Sequence, residues 1–402
     1  MMAQKVQIII KSCDRRVLEL EQVKNWFVAN GYKISKNHWS VDKTADIIIL
    51  TTCGVTQLHE DFTFETLERI KEGKKPGAKI ILGGCVPEIN PERVAREFGG
   101  ATFSPKSYEK LDEIFDMPAK LDEFERPNRY KMEGVYRSDV GNTLDAVKFV
   151  AHLSPRAIMR GLRLRANNRK TFYIQIHEGC SMGCTYCAIQ KAIGPLRNSK
   201  PIETVISEFR EGLSKGYKYF RLIGDCAGSY GLDIKTNLGQ LLAEIAKIEE
   251  PFHLELTDIN PVFLKVIFDP VKKLCQQKRL ATLYIPIQSG NDRVLGLMHR
   301  RYDIEETKRM LLELKESAPK DFRIGTSVIV GFPSETEEEL KDTIDICNLM
   351  KFDWIYCHGF SPRPGTPAAD LPGQYTEEEV MEKVDRFRDG IADRDSVVLD
   401  FK

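Results

Sequence analysis

The chain has 402 residues, and its 59 Lys plus Arg are balanced by 59 Asp plus Glu. A zero net charge gives no global attraction to nucleic acid, although a local basic patch can still supply one. The length allows two or three domains with ample cores, and no apolar run reaches membrane-spanning length, so no membrane partner is expected. Met1 to Lys5 leads directly into a strand with no signal-peptide pattern. Ten cysteines are too sparse for a secreted disulfide scaffold, and those gathered at predicted strand ends read as metal ligands in a reducing cytoplasm.

The first hundred residues alternate strand and helix. Val6-Gln7-Ile8-Ile9-Ile10 is a β-branched run that stops before Cys13, and Val17, Leu20, Val23 and Phe27 follow at helical spacing up to Asn30-Gly31. A second buried strand, 45–50, ends at Thr51-Thr52-Cys53, and a charged helix is predicted over 60–72. A third strand, 78–82, ends at Gly83-Gly84-Cys85. Continuous apolar strands separated by helices predict a parallel, doubly wound sheet. Cys13, Cys53 and Cys85 each fall just past a strand's C-terminal end, along the edge where such sheets bind ligands. Three thiols placed in this way read as a second three-thiolate iron–sulfur site rather than as core packing, which would put them within strands.

Residues 119–168 form a polar connector punctuated by Pro127, Gly134 and Gly141, with one predicted strand at Gly134-Val135-Tyr136. Arg156, Arg160, Arg163, Arg165, Arg169 and Lys170 make a basic run that reads as a solvated face and is assigned no site. An apolar strand, 172–176, then meets Cys180, Cys184 and Cys187 at C-x3-C-x2-C spacing. Three thiolates hold three corners of a [4Fe–4S] cubane and leave the fourth iron open to a small molecule. A zinc knuckle is the competing reading, but it wants paired C-x2-C units and a fourth ligand close by. Further strand–helix units follow, with a helix over 202–213 and strands at 218–223 and 253–257.

The C-x3-C-x2-C motif after a strand, with Tyr186 just before the third cysteine, resembles the radical S-adenosylmethionine superfamily. Cysteines at the first three strand ends, followed by that motif, resemble the radical S-adenosylmethionine methylthiotransferases over 5–371. Thr52-Cys53-Gly54-Val55-Thr56, the run from Leu283 to Gly290, the run from Thr326 to Thr336 and the run from Phe360 to Ala368 are all similar to segments of that family. The resemblance implies an α/β chain: a doubly wound N-terminal cluster domain (1–118), the connector (119–168), a partial (β/α)6 radical S-adenosylmethionine barrel (169–372) and a helical tail (373–402). It implies two [4Fe–4S] clusters: Cys13, Cys53 and Cys85 would bind the sulfur-handling one, and Cys180, Cys184 and Cys187 the radical-generating one. Tyr186, Gly224, Asp225, Gln288, Ser289, Ile329 and Gly331 would contact S-adenosylmethionine, and a reductant such as flavodoxin or ferredoxin would supply electrons.

The chain departs from the family pattern at Gly224-Asp225-Cys226 and at Ser327, and Cys226 is expected to be a small filler at the barrel mouth. Cys275, Cys347 and Cys357 read as buried packing, and His177 and His358 as structural. After Ala369 the sequence shows one amphipathic helix, 375–392, and a short strand, 397–401, too little for the RNA-binding β-barrel (TRAM) domain of family members that modify transfer RNA. That shortage favours insertion of sulfur or a methylthio group into an unactivated C–H bond of a peptide or small molecule. The alternatives are a transfer-RNA methylthiotransferase, whole or shortened, and a two-cluster electron-transfer or scaffold protein.

Overall fold

The computed structural model describes residues 3–37, 40–128, 135–137 and 171–399, and the basic run at 156–170 lies outside them. The chain folds as two units, one of 1–152 with 187–194, the other of 153–186 with 195–402. Among the described residues no helix is long and apolar enough to cross a membrane.

In the first unit, β1 (Lys5–Ile10), β2 (Lys33–Ile34), β3 (Ile47–Thr52), β4 (Lys79–Gly84) and β5 (Val135–Arg137) form one parallel sheet. Its order is β2-β1-β3-β4, with β5 also on β1. Successive strand side chains point to opposite faces. Ile8 and Ile10 therefore pack with Leu20, Trp26 and Phe27, all three from the helix Val17–Ala29. Ile9, Ile48 and Leu50 pack on the other face with Phe64, Leu67 and Ile70 of the helix Gln57–Gly73. Both faces are covered, which is why these strands read as unbroken apolar runs. The second helix begins at Gln57 rather than at residue 60, because the Thr56 hydroxyl caps the His59 N–H.

In the second unit, seven parallel strands follow one another in chain order. They are β6 (Thr171–Gln175), β7 (Tyr219–Ile223), β8 (His253–Leu256), β9 (Leu280–Tyr284), β10 (Arg323–Val330), β11 (Trp354–Gly359) and β12 (Val397–Leu399). Alternate residues such as Phe172, Phe220, Leu254, Leu283 and Val328 enter one large apolar core. Amphipathic helices cover that face, among them Ile202–Ser214, Leu264–Gln276 and Glu337–Met350.

The segment after 373 is no separate tail: the helix Glu377–Gly390 buries Val380, Val384 and Phe387 in the barrel core, and β12 pairs with β11 as a seventh strand. β9 ends at Tyr284, so the signature of Pro286 to Gly290 lies in the loop beyond it; Pro286 has no N–H with which to continue a ladder. The Phe360–Ala368 motif likewise starts just after β11 and turns at Pro364-Gly365.

Candidate active site

The first cysteine trio occupies one edge of the first sheet. Thr52 and Gly84 are register partners on β3 and β4, so Cys53 and Cys85 leave the sheet side by side. Cys85 N–H donates to the Thr52 carbonyl at 3.1 Å, and the Thr52 hydroxyl donates to the Gly83 carbonyl at 2.8 Å. Gly84 has φ +96°, and a Cβ there would lie 2.4 Å from the Thr52 carbonyl oxygen, so only glycine permits this approach. Cys13 follows β1, whose continuation Lys11 donates to the Thr51 carbonyl at 2.8 Å. Cys13 is exposed, Cys53 half-buried and Cys85 buried. Cys85 and Ile89 pack with Ala188 and Ala192, in the segment that opens with Cys187.

Cys180 and Cys184 lie in the loop after β6, each half-buried. Three consecutive loop residues are tied to the loop after β7. Gly179 N–H donates to Asp225 Oδ2 at 2.9 Å, Cys180 hydrogen-bonds Cys226, and Ser181 Oγ meets Ser229 Oγ at 2.7 Å. Met182 N–H points at Cys180 Sγ (3.3 Å), and Asn260 Nδ2 reaches Met182 Sδ at 3.0 Å. The Cys226 thiol is buried, as expected of a small filler, and it is drawn down to about 6, first by the hydrogen bond with Cys180, against the opposing effect of burial.

Arg300 is the buried cation of this region. Its Nη1 is 3.8 Å from Cys184 Sγ, its Nη2 donates to the Pro286 carbonyl, and its Nε is buried without a partner. The guanidinium lies 5.6 Å from the Tyr302 ring centre, and the Tyr302 hydroxyl donates to the Ile287 carbonyl. Burial opposes the charge, but Tyr186, Tyr302 and Cys184 hold it above the ordinary guanidinium value.

Of the residues expected to contact S-adenosylmethionine, Tyr186 and Ile329 share one apolar cluster with Met298, Phe332 and Phe360. Gln288 takes φ +65° and bridges to β10 through its own N–H to Ser327 O and Ile329 N–H to its carbonyl, each at 2.8 Å. That leaves its Oε1 buried without a partner. Gly331, at φ +75°, donates to Glu335 Oε2 at 2.7 Å. Ser289 is turned inward instead: fully buried, its Oγ lies 3.5 Å from Thr343 Oγ1 and accepts from Asn291 N–H. Gly224 leaves room for the His177 ring, since a Cβ there would lie 2.1 Å from Cε1. Burial pushes that histidine down to about 4, which keeps it neutral, and both of its ring nitrogens are buried without a partner among the described residues.

On the sheet face away from the helices, Tyr173, Arg221 and Glu255 are register neighbours on β6, β7 and β8. Arg221 Nε donates to Glu255 Oε2 at 2.7 Å, and its guanidinium lies 5.7 Å from the Tyr173 ring. Sequence reading missed this ladder, Asn260 and the role of Arg300. Glu255 inside an apolar run and the Asn260-Pro261 step were the available signals.

The donor chemistry fits iron–sulfur ligation: two sets of soft thiols, with N–H groups directed at Cys180 and Cys184. Among the described residues no three Cys, His, Asp or Glu side chains converge as a single ion requires. A cubane places its thiolates on separate irons and needs no such convergence. The orphaned Gln288 Oε1 and Arg300 Nε are polar atoms suited to a bound polar ligand.

Comparison with known proteins bears on the family. Residues 174–347 match the radical SAM superfamily, and residues 5–103 match the uncharacterized protein family UPF0004. The threonylcarbamoyladenosine tRNA methylthiotransferase MtaB of Thermotoga maritima is 31% identical over 354 residues, 88% of this chain and 75% of that protein. A tRNA-2-methylthio-N(6)-dimethylallyladenosine synthase of Methylacidiphilum infernorum is 28% identical over 385 residues, 92% and 76% of the two chains. Among solved structures, the radical S-adenosylmethionine methyltransferase TsrM of Kitasatospora setae aligns with TM-score 0.58 at 14% identity. It covers 91% of this chain and 75% of that one, a likeness of fold alone. Fold and family matches thus define a radical S-adenosylmethionine enzyme, a class that works with S-adenosylmethionine and [4Fe–4S] clusters. Within it, the chain belongs to the methylthiotransferase family, enzymes that transfer sulfur or methylthio groups.

Proposed function

We propose that this enzyme places a methylthio group on a modified adenosine of transfer RNA. The observation that carries the reading is the extended similarity to methylthiotransferases named for that substrate, 31% identical across 88% of this chain. The preference for a peptide or small molecule, which rested on the short segment after Ala369, has no support among those relatives and gives way to the transfer-RNA alternative.

In this reading Cys180, Cys184 and Cys187 hold one cluster, and Cys13, Cys53 and Cys85 the other. When bound and reduced, the first would supply, with S-adenosylmethionine, the one-electron chemistry that opens an unactivated C–H bond. The protein's own residues hold the parts in place. Asp225, Cys226 and Ser229 fix the loop of Cys180. Tyr186 and Ile329 offer an apolar face to a flat ring, while Gln288 offers an acceptor. Buried side chains on this side keep water from a reactive carbon, and preset positions replace a search in solution.

The test is anaerobic reconstitution, followed by incubation with bulk transfer RNA, reductant and S-adenosylmethionine carrying a deuterated methyl group. Mass spectrometry of the nucleoside digest should show a deuterated methylthio group on adenosine. Transfer of the label to a peptide pool but not to RNA would overturn the substrate. No formation of 5′-deoxyadenosine at all would favour a two-cluster electron-transfer protein. Cys184→Ala and Cys13→Ala should each lose about half the bound iron, and unchanged iron in either would remove that trio from the assignment.

A further inference from the structure

We propose that Arg300 is a positioning residue for the barrel cluster: its buried guanidinium, donating from Nη1 toward Cys184 Sγ at 3.8 Å, sets the Cys184 ligand and raises the cluster's reduction potential. The inference rests on the cluster assignment above and goes beyond it, because no reading of the motif gives this arginine a part in the electron step.

The geometry separates Arg300 from a structural arginine. It is only 7% exposed and, among the described residues, forms no carboxylate pair that would spend its charge. Its anchors are neutral: the Pro286 carbonyl takes Nη2, and Tyr302 lies against the guanidinium plane while its hydroxyl is tied to the Ile287 carbonyl. The loop that carries Cys184 closes onto the same element, since Thr185 N–H donates to the Met298 carbonyl at 3.1 Å and Thr185 Oγ1 to the Leu297 carbonyl at 2.8 Å. Arg300 is therefore held at the Pro286 carbonyl and beside the Tyr302 ring, with one edge aimed at sulfur. A fixed positive charge and an N–H directed at a ligating sulfur both stabilise the more negative, reduced cluster; hydrogen bonds to sulfur, net charge and solvent exposure set the potentials of such clusters. In a buried setting the charge is poorly screened, so its effect on the added electron is large. Lysine does not reproduce it, because a point ammonium cannot hold the Pro286 carbonyl and reach Cys184 with one rigid fork.

The experiment uses the full-length chain with Cys13, Cys53 and Cys85 all replaced by alanine, so that one cluster remains. Arg300→Met and Arg300→Lys are compared with Arg300 by iron content, visible absorbance and a potentiometric titration followed by electron paramagnetic resonance. The expected result is a cluster present in all three and a lower midpoint in Arg300→Met. At a fixed poise the ratio of reduced to oxidised cluster should fall at least tenfold, a shift of about 59 mV for one electron. Arg300→Lys should fall between. An unchanged midpoint in a loaded Arg300→Met chain overturns the proposal. If Arg300→Met fails to fold, Arg300→Lys decides alone: a midpoint equal to that of Arg300 overturns the proposal and a lowered one supports it. Failure of the underlying cluster reading looks different, because the Arg300 chain itself would then bind no iron, or would keep it after Cys184→Ala.

Discussion

Glu335 offers a sharp test of how the turn after β10 is held. Its Oε2 accepts the Gly331 N–H at 2.7 Å, while Oε1 is buried with no partner. Burial pushes the carboxyl up from 4.5 to about 7; the Gly331 N–H and Lys383 pull against it, and Glu339 and Glu337 add to it. A raised acid contributes fully while it is neutral in both folded and unfolded chains, below about pH 4.5, and loses that contribution as pH rises through about 7. The difference between 4.5 and about 7, at about 1.4 kcal/mol per pH unit, comes to about 3 kcal/mol. Glu335→Gln mimics the neutral acid, with one oxygen for Gly331 and one donor at the other position, so it should be free of this loss. Urea unfolding of both chains under anaerobic conditions, from about pH 4 to about pH 8, should therefore show the variant gaining about 3 kcal/mol relative to the parent across that window. Titrations elsewhere, including that of His177, cancel in the difference. A difference that stays flat with pH, or that moves toward the parent, would refute the assignment of a buried, neutral carboxyl.

In the first unit, Arg93 meets Glu60, Asp61 and Glu97 and covers the Phe64 ring at 4.3 Å. Arg93→Met leaves the fully buried Glu60 without its cation and should destabilise this unit by about 3 kcal/mol, read by thermal unfolding. Gly224→Ala forces a methyl into the His177 ring and should cost about 1–3 kcal/mol. Combining it with His177→Ala should cost less than the two single changes together, and a strictly additive result would show that the ring can move aside.

The sheets were legible because both faces of each strand are covered: Ile8, Ile9 and Ile10 must all be apolar, and β-branched runs such as Ile47-Ile48-Ile49 have few other uses. The cysteines were legible because strand ends can be read to within a few residues and a parallel sheet brings those ends to one edge. What escaped were contacts made by long side chains across the fold. Arg300 stands in a recognisable signature, but nothing local says that its guanidinium turns toward Cys184, 116 residues earlier. The short strand at 397–401 was legible, as β12 over Val397–Leu399, but its pairing was not: nothing in three residues says that the edge of β11 takes them as a seventh strand. The motif places Ser289 with the cofactor; it does not announce that the Ser289 hydroxyl also meets Thr343 on the helix Glu337–Met350.

The departure at Cys226 acquires a physical sense from the same contacts. Gly179, Cys180 and Ser181 bond to Asp225, Cys226 and Ser229, so the loop of the first barrel cysteine is registered on its neighbour residue by residue. A thiol at position 226 supplies a compact, polarisable partner for the half-buried Cys180 thiol. Conformational entropy already lost in forming the loop need not be lost again when iron binds, so preorganisation here favours ligation without any added contact to the metal. Cys226→Ser keeps a donor of similar size and should preserve the tether. Cys226→Val fills the space but removes the polar partner, so of the two it should be the variant that weakens iron retention under chelator challenge. Equal retention in both would mean that the loop stands on Asp225 and Ser229 alone.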